Sequence, residues 1–236
     1  MRDNLRIQFI QQFYELLEQM ERKIGGKHIL TNCDSRMGWP ERGVYFFFET
    51  GEKRTTSGEG LRCVRVGTHA LKRSSKTTLW NRLSQHRGTI GGKHPGGGNH
   101  RGSVFRFHVG TALMTRDDWP EEIVKNWGGS NAPRYIKDAE VPLEQAISKH
   151  IGSMPFIWLE INDEPCPDNL RGYIERNSIA LLSNYNRESN PIDPPSKSWL
   201  GQWAKSIRVQ KSGMWNSNHV DESFDMQFLD TLESLI

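Results

Sequence analysis

Apolar residues recur at helical spacing near the start of the chain. Phe9, Ile10, Phe13, Leu17, Met20 and Ile24 form one stripe, and Gly25-Gly26 closes it. The spacing predicts an amphipathic helix over 4–24. GVYFFFE (43–49) is a short apolar run, read as a buried strand, and LRCVRVG (61–67) alternates like a second. The turn-rich TGEKRTTSGEG between them predicts a hairpin with a long loop. TTLWNRLSQHR (77–87) reads as a helix with a Ser/Thr cluster at its N-cap, and the glycine-rich 88–102 as irregular. SVFRFHVG (103–110) alternates and predicts a third strand. Asp117-Asp118-Trp119-Pro120 opens a helix to about Trp127. A helix over Val141–His150, a strand over 155–161, a helix over Asn169–Leu182, a loop over 187–199 and a final helix over 222–236 follow. No internal repeat is visible. The order predicts an α+β protein with a small mixed or antiparallel β-sheet flanked by helices.

The 236 residues suit one elaborated domain or two, and 8 Trp, 10 Phe and 5 Tyr imply a real core. No apolar stretch is long enough to span a membrane, and the mixed N-terminus does not read as a signal peptide. Cys33, Cys63 and Cys166 are odd in number and far apart. They predict neither a disulfide scaffold nor a C-x-x-C zinc site, and they fit a reducing, cytoplasmic setting. Net charge changes the picture more. Residues 53–106 hold twelve Lys and Arg and a single acid, Glu59, so this segment carries +11 while the rest of the chain carries −8. A basic block in an otherwise acidic chain points to a polyanion, most often nucleic acid.

GVY (43–45) and VRVG (64–67) lie on the two hairpin strands. The next helix carries Arg82 and His86 at i,i+4 (RLSQH), and a much later helix, GYIERNSIALLSNYN, carries Glu175. In this order the motifs resemble the GIY-YIG nuclease superfamily, and R-x-x-x-H looks like the arrangement of some of its restriction endonucleases. Arg65 stands where a Tyr is usual, and the hairpin connection is longer than the typical one. The resemblance implies a GIY-YIG-like core over 43–186 with an insertion. Residues 1–42 would be an N-terminal helix and lead-in, and 187–236 a C-terminal extension packed on the core. It also implies Mg²⁺-dependent hydrolysis of DNA, with Mn²⁺ as a substitute metal. Tyr45, Arg82, His86 and Glu175 would be catalytic and Glu175 the metal ligand, with Asn184 or Asn186 in support.

Each residue also has a plainer reading. Tyr45 is equally a core tyrosine bonded to backbone. Its functional role would be to orient or deprotonate the attacking water. Arg82 and His86 share a helix face, which for Arg is usually solvated. In a site, Arg82 would hold the scissile phosphate, and His86 would take a proton from Tyr45 or water, or bind phosphate. Glu175, on a largely apolar helix, needs a partner: an ion pair or a hard cation. Arg65, Lys72, Arg73, Lys93 and Arg101 are candidate DNA contacts, and His69 follows the second strand beside two of them. The loop GGKHPGGGNHRG is a phosphate cradle or a surface loop, and His94 and His100 form only a weak zinc idea. Trp199, Trp203 and Trp215 lie among basic residues, as stacking platforms or as core. The sequence thus predicts a DNA endonuclease, with a nucleic-acid-binding module that has lost catalysis as the alternative. A symmetric target would call for a homodimer or two binding events.

Overall fold

The computed structural model describes residues 2–187 and 189–236, with the backbone alone for residues 2–4; position 188, in the expected 187–199 loop, lies outside the described residues. Along the chain run α1 (Arg2–Lys23), β1 (His28–Ile29), β2 (Gly43–Lys53), β3 (Leu61–Gly67), α2 (Leu79–Arg87) and α3 (Val104–Arg116). After these come α4 (Glu121–Asn126), α5 (Arg134–Ala139), α6 (Val141–Gly152), β4 (Pro155–Glu160), α7 (Leu170–Leu182), α8 (Ile207–Ser212) and α9 (Phe228–Ser234).

The strands form one sheet in the order β1-β4-β2-β3, and each neighbouring pair is antiparallel. β2 is central, and helices cover both faces of the sheet. Val44, Phe46 and Phe48 point to one core with Ile10, Phe13, Leu17, Ile174 and Phe228. Tyr45 and Phe47 point to the other, with Leu79, Leu83, Phe105, Ile147, Trp199 and Trp215. A strand buried on both faces reads as a continuous apolar run rather than an alternation, which explains GVYFFFE.

Three expectations are corrected. Residues 103–110 are not a third strand but the start of α3, capped by Ser103, whose Oγ accepts the Arg106 amide at 3.2 Å. Phe105, Val109, Ala112 and Leu113 are its buried stripe, at helical spacing. The alternation was deceptive because Arg106 and His108 are buried too. β2 runs on to Lys53, through bulges, where a loop was expected from residue 50. The last helix is confined to Phe228–Ser234.

Candidate active site

Tyr45 lies in the centre of β2, paired in register with Gly67 of β3. Its side chain is fully buried, and its hydroxyl is 2.8 Å from His86 Nε2. α2 sets that contact. Thr78 caps it, its Oγ1 accepting the Asn81 amide, and Leu79 and Leu83 anchor it in the core. His86, one turn after Arg82, turns inward among the rings of Tyr45, Phe47 and Phe105. Its Nδ1 is 2.9 Å from Ser103 Oγ. Burial, then the nearby cations Arg82, Arg65 and Arg106, hold its pKa well below the ordinary histidine value. That direction favours the uncharged ring in the free chain, with Nε2 facing the Tyr45 hydroxyl. Its polar contacts are made to Tyr45 and Ser103.

Arg82 turns the other way, half-buried, donating to Gln85 Oε1 and Gly102 O at 3.1 Å each. It lines a cleft of about 390 Å³ together with Arg65, Thr68, His69, Glu175 and His219. Glu175 comes from α7, whose cap is Asn169. The carboxylate accepts the Thr68 amide at 3.2 Å and makes no ion pair among the described residues. Burial raises its pKa above the ordinary carboxylate value, partly offset by Arg65, His219, the Thr68 amide and Arg82. Arg65 bridges the pieces. It is buried beneath the cleft, donates to Trp215 O at 2.7 Å and interacts electrostatically with Tyr45, Glu175 and Arg82. Burial lowers its pKa, an effect that Tyr45 and Glu175 oppose. Tyr45, His86, Arg65, Arg82 and Glu175 thus meet in one region, drawn from four elements, β2, β3, α2 and α7.

The remaining candidates separate. Lys72 and Arg73 are exposed on the loop that leaves the cleft through His69 and Leu71. His69 itself is buried, its pKa lowered to about 4 by burial, against a bond to Glu41 O. Lys93 is exposed on the glycine-rich loop, in a different cavity. Arg101 is no free phosphate ligand: it grips buried Glu140 with two bonds of 2.7 and 2.8 Å. Much of the basic block is spent in this way. Arg54, Arg62 and Arg106 pair with Glu18, Glu52 and Glu144, all from outside the segment. His100 is bonded to Glu144 and to the Gly128 amide, and no group of three or more His, Cys, Asp or Glu able to hold a metal occurs among the described residues.

Neither expected asparagine lines the cleft. Asn184 is buried, tying Ile192 to Arg6, and Asn186 sits in a left-handed turn. Asn216 lines it instead, bonding both backbone groups of Val66 like an added strand residue. That pairing brings His219 to the cleft, where its backbone is left-handed (φ +62°) and its Nδ1 lies 2.9 Å from Glu222. Ser103, Asn216 and His219 escape sequence reasoning; only Ser103, a cap residue before an apolar run, carries a local signal. Trp199 and Trp215 are core, both donating to Glu49 at 3.0 and 3.1 Å, while Trp203 is half-buried beside α3.

The α+β fold thus sets a guanidinium and a carboxylate on one cleft, with the Tyr45 phenol buried beneath it. A family model for the GIY-YIG domain matches residues 4–236, and the chain belongs to that family. GIY-YIG domains are generally endonucleases, so the fold is that of a DNA-cutting hydrolase. No curated protein and no solved structure matches the chain. The match extends well beyond 43–186, to both ends of the chain.

Nucleases of this family typically use a divalent metal. The residues present fit one. Glu175 offers a hard, partly buried carboxylate with a single hydrogen bond, facing an open cleft. A small hard cation takes one or two carboxylates and completes its shell with water and phosphate oxygens.

Proposed function

We propose that the protein is a Mg²⁺-dependent DNA endonuclease that hydrolyses phosphodiester bonds by direct attack of water, with restriction-like double-strand cleavage as its task. The observation that carries this reading is the shared cleft of Glu175, Arg65 and Arg82 above the Tyr45–His86 pair. Arg82 places its guanidinium on the scissile phosphate and neutralises charge as the fifth P–O bond forms. Tyr45 orients the water, hands its own phenol proton to His86 Nε2, 2.8 Å away, and takes one from the water as the new P–O bond forms and the bond to the leaving oxygen breaks, solvent protonating that oxygen. Arg65, buried beside the phenol and lining the cleft, adds positive charge beneath the phosphate. Glu175 holds the metal, which when bound supplies positive charge for the leaving oxygen. Lys72 and Arg73 hold the flanking backbone, with Lys93 as a more distant contact. The working unit extends past residue 186, because Asn216 and His219 line the cleft. A homodimer would serve a symmetric target, and the free cysteines suit the cytoplasm.

Supercoiled plasmid incubated with and without Mg²⁺ tests this. Nicked or linear product that appears only with the metal is expected. A gel shift without cleavage, on long and varied DNA, would favour a binding module that has lost catalysis, a reading that Arg65 at the tyrosine position keeps open.

A further inference from the structure

We propose that a cavity beside the cleft, walled by Phe107, Trp127 and Trp203, receives one nucleobase drawn out of the DNA duplex held at Arg82. This rests on the nuclease reading given above and adds a base-binding site to it. One helix face leads from the cleft to that cavity. Val104, Phe107, Thr111 and Met114 recur on α3 at i, i+3, i+7 and i+10, so they share a side, turned away from the buried stripe of Phe105, Val109 and Ala112. Val104 lines the cleft. Val104 and Phe107 line a small opening next to it, with Arg82, His100 and Gly128. Phe107, Thr111 and Met114 then line a cavity of about 630 Å³. The cleft thus continues along α3 into the cavity.

At 1.5 Å per residue, Phe107 lies about 4.5 Å and Met114 about 15 Å past Val104. A strand advances about 3.4 Å per nucleotide, so the cavity is reached about one to four nucleotides from a phosphate at the cleft. Its volume falls in the range of small-ligand sites, about 300–1,000 Å³. Its continuity with the cleft selects a base of the bound DNA over a free small molecule.

Every base offers an aromatic face, and an extruded base is held between aromatic or apolar side chains and read at its polar edge. Trp127 and Trp203 are half-buried walls of this kind. Trp127 is fixed in advance. Its ring stacks on His100 with centroids 3.5 Å apart, its Nε1 donates to Phe107 O at 3.3 Å, and a Cβ on Gly110 would collide with it. Gln210, on the same cavity, donates from Nε2 to Ala204 O at 2.7 Å, so its Oε1 is the end left for an amino group of a base. Lys205, exposed and lining the same cavity, supplies positive charge for the adjoining phosphate.

Fluorescence anisotropy in EDTA, where the metal is withheld, compares a fully paired duplex with the same duplex carrying one bulged adenine. The bulged base has no pair to break, so wild type should bind that duplex about tenfold tighter or more. Trp203→Ala should lose the preference, binding the bulged duplex about 5- to 100-fold more weakly, the usual effect of losing a base–aromatic stack. Trp203→Phe keeps an aromatic face and should retain most of it. Equal affinity of wild type for the two duplexes, or a preference unchanged in folded Trp203→Ala, would overturn the proposal while leaving paired-duplex binding, and with it the nuclease reading, intact. Failure to bind either duplex would remove the nuclease reading and this proposal together. If Trp203→Ala does not fold, Thr115→Met narrows the cavity from an exposed position on α3 and decides instead: the preference should fall, and its persistence would overturn the site.

Discussion

Gly67 stands opposite Tyr45 in the β2–β3 pair, and a Cβ on it would lie 2.6 Å from Tyr45 Cε2 and closer still to the hydroxyl. The final glycine of the VRVG motif is thus the space that the Tyr45 ring occupies. Gly67→Ala should push the ring off His86, at a cost of about 1–3 kcal/mol for overpacking. A lowered melting temperature together with lost plasmid cleavage is expected; unchanged values of both would show that the ring has room to move.

Tyr45→Phe removes the hydroxyl and leaves the ring against Phe47. DNA affinity should persist. Cleavage should fall by about 10²–10⁴, the range for a positioned acid or base. Near-normal cleavage by the folded variant would return Tyr45 to a packing role.

Glu175→Gln keeps shape and the bond to the Thr68 amide but loses the charge. Cleavage should vanish while DNA binding holds or tightens. Stability moves in the opposite sense. A carboxyl whose pKa is raised by folding destabilises the protein increasingly as pH climbs from its unfolded to its folded value, and the penalty persists above. In the absence of metal, the Gln variant should therefore melt higher than wild type at neutral pH and match it in acid.

DNA affinity should fall steeply with salt, each phosphate contact adding about 0.9 to the slope of log K against log salt. Lys72→Ala and Arg73→Ala should each lower that slope by about 1. Arg101→Ala should leave the slope alone and instead destabilise the fold by about 3–5 kcal/mol, because buried Glu140 loses its partner. Titrations across ionic strength, with melting curves, separate the two outcomes.

Acid should unfold the protein partly through Glu49. Burial alone would raise its pKa, but bonds from His150, Trp215 and Trp199 outweigh that and lower it. The resulting stability is present above the unfolded carboxyl pKa, about 4.3, and is lost as pH falls through the lower folded value. Glu49→Gln should flatten that part of a stability-versus-pH curve.

Much of the scaffold was legible from spacing alone. The stripe of α1, the β2–β3 strands, the cap of α2, the span of α7, and β4 follow from apolar period and turn chemistry, which act over a few residues. Tyr45, Arg82, His86 and Glu175 were singled out on those elements by the order of motifs resembling the GIY-YIG superfamily, before any contact was known. Tertiary structure alone decided the rest. Helix α3 hid behind an alternating pattern because Arg106 is buried, and its partner Glu144 lies on α6. The +11 segment looked like one binding face, yet four of its arginines pair with acids outside it. The turn inward of His86, away from Arg82, and the arrival of Asn216 at the edge of β3 were likewise invisible. The reason is physical: secondary structure is chosen by neighbours along the chain, whereas a buried charge or hydrogen-bonding group takes whichever partner the fold brings within about 3 Å.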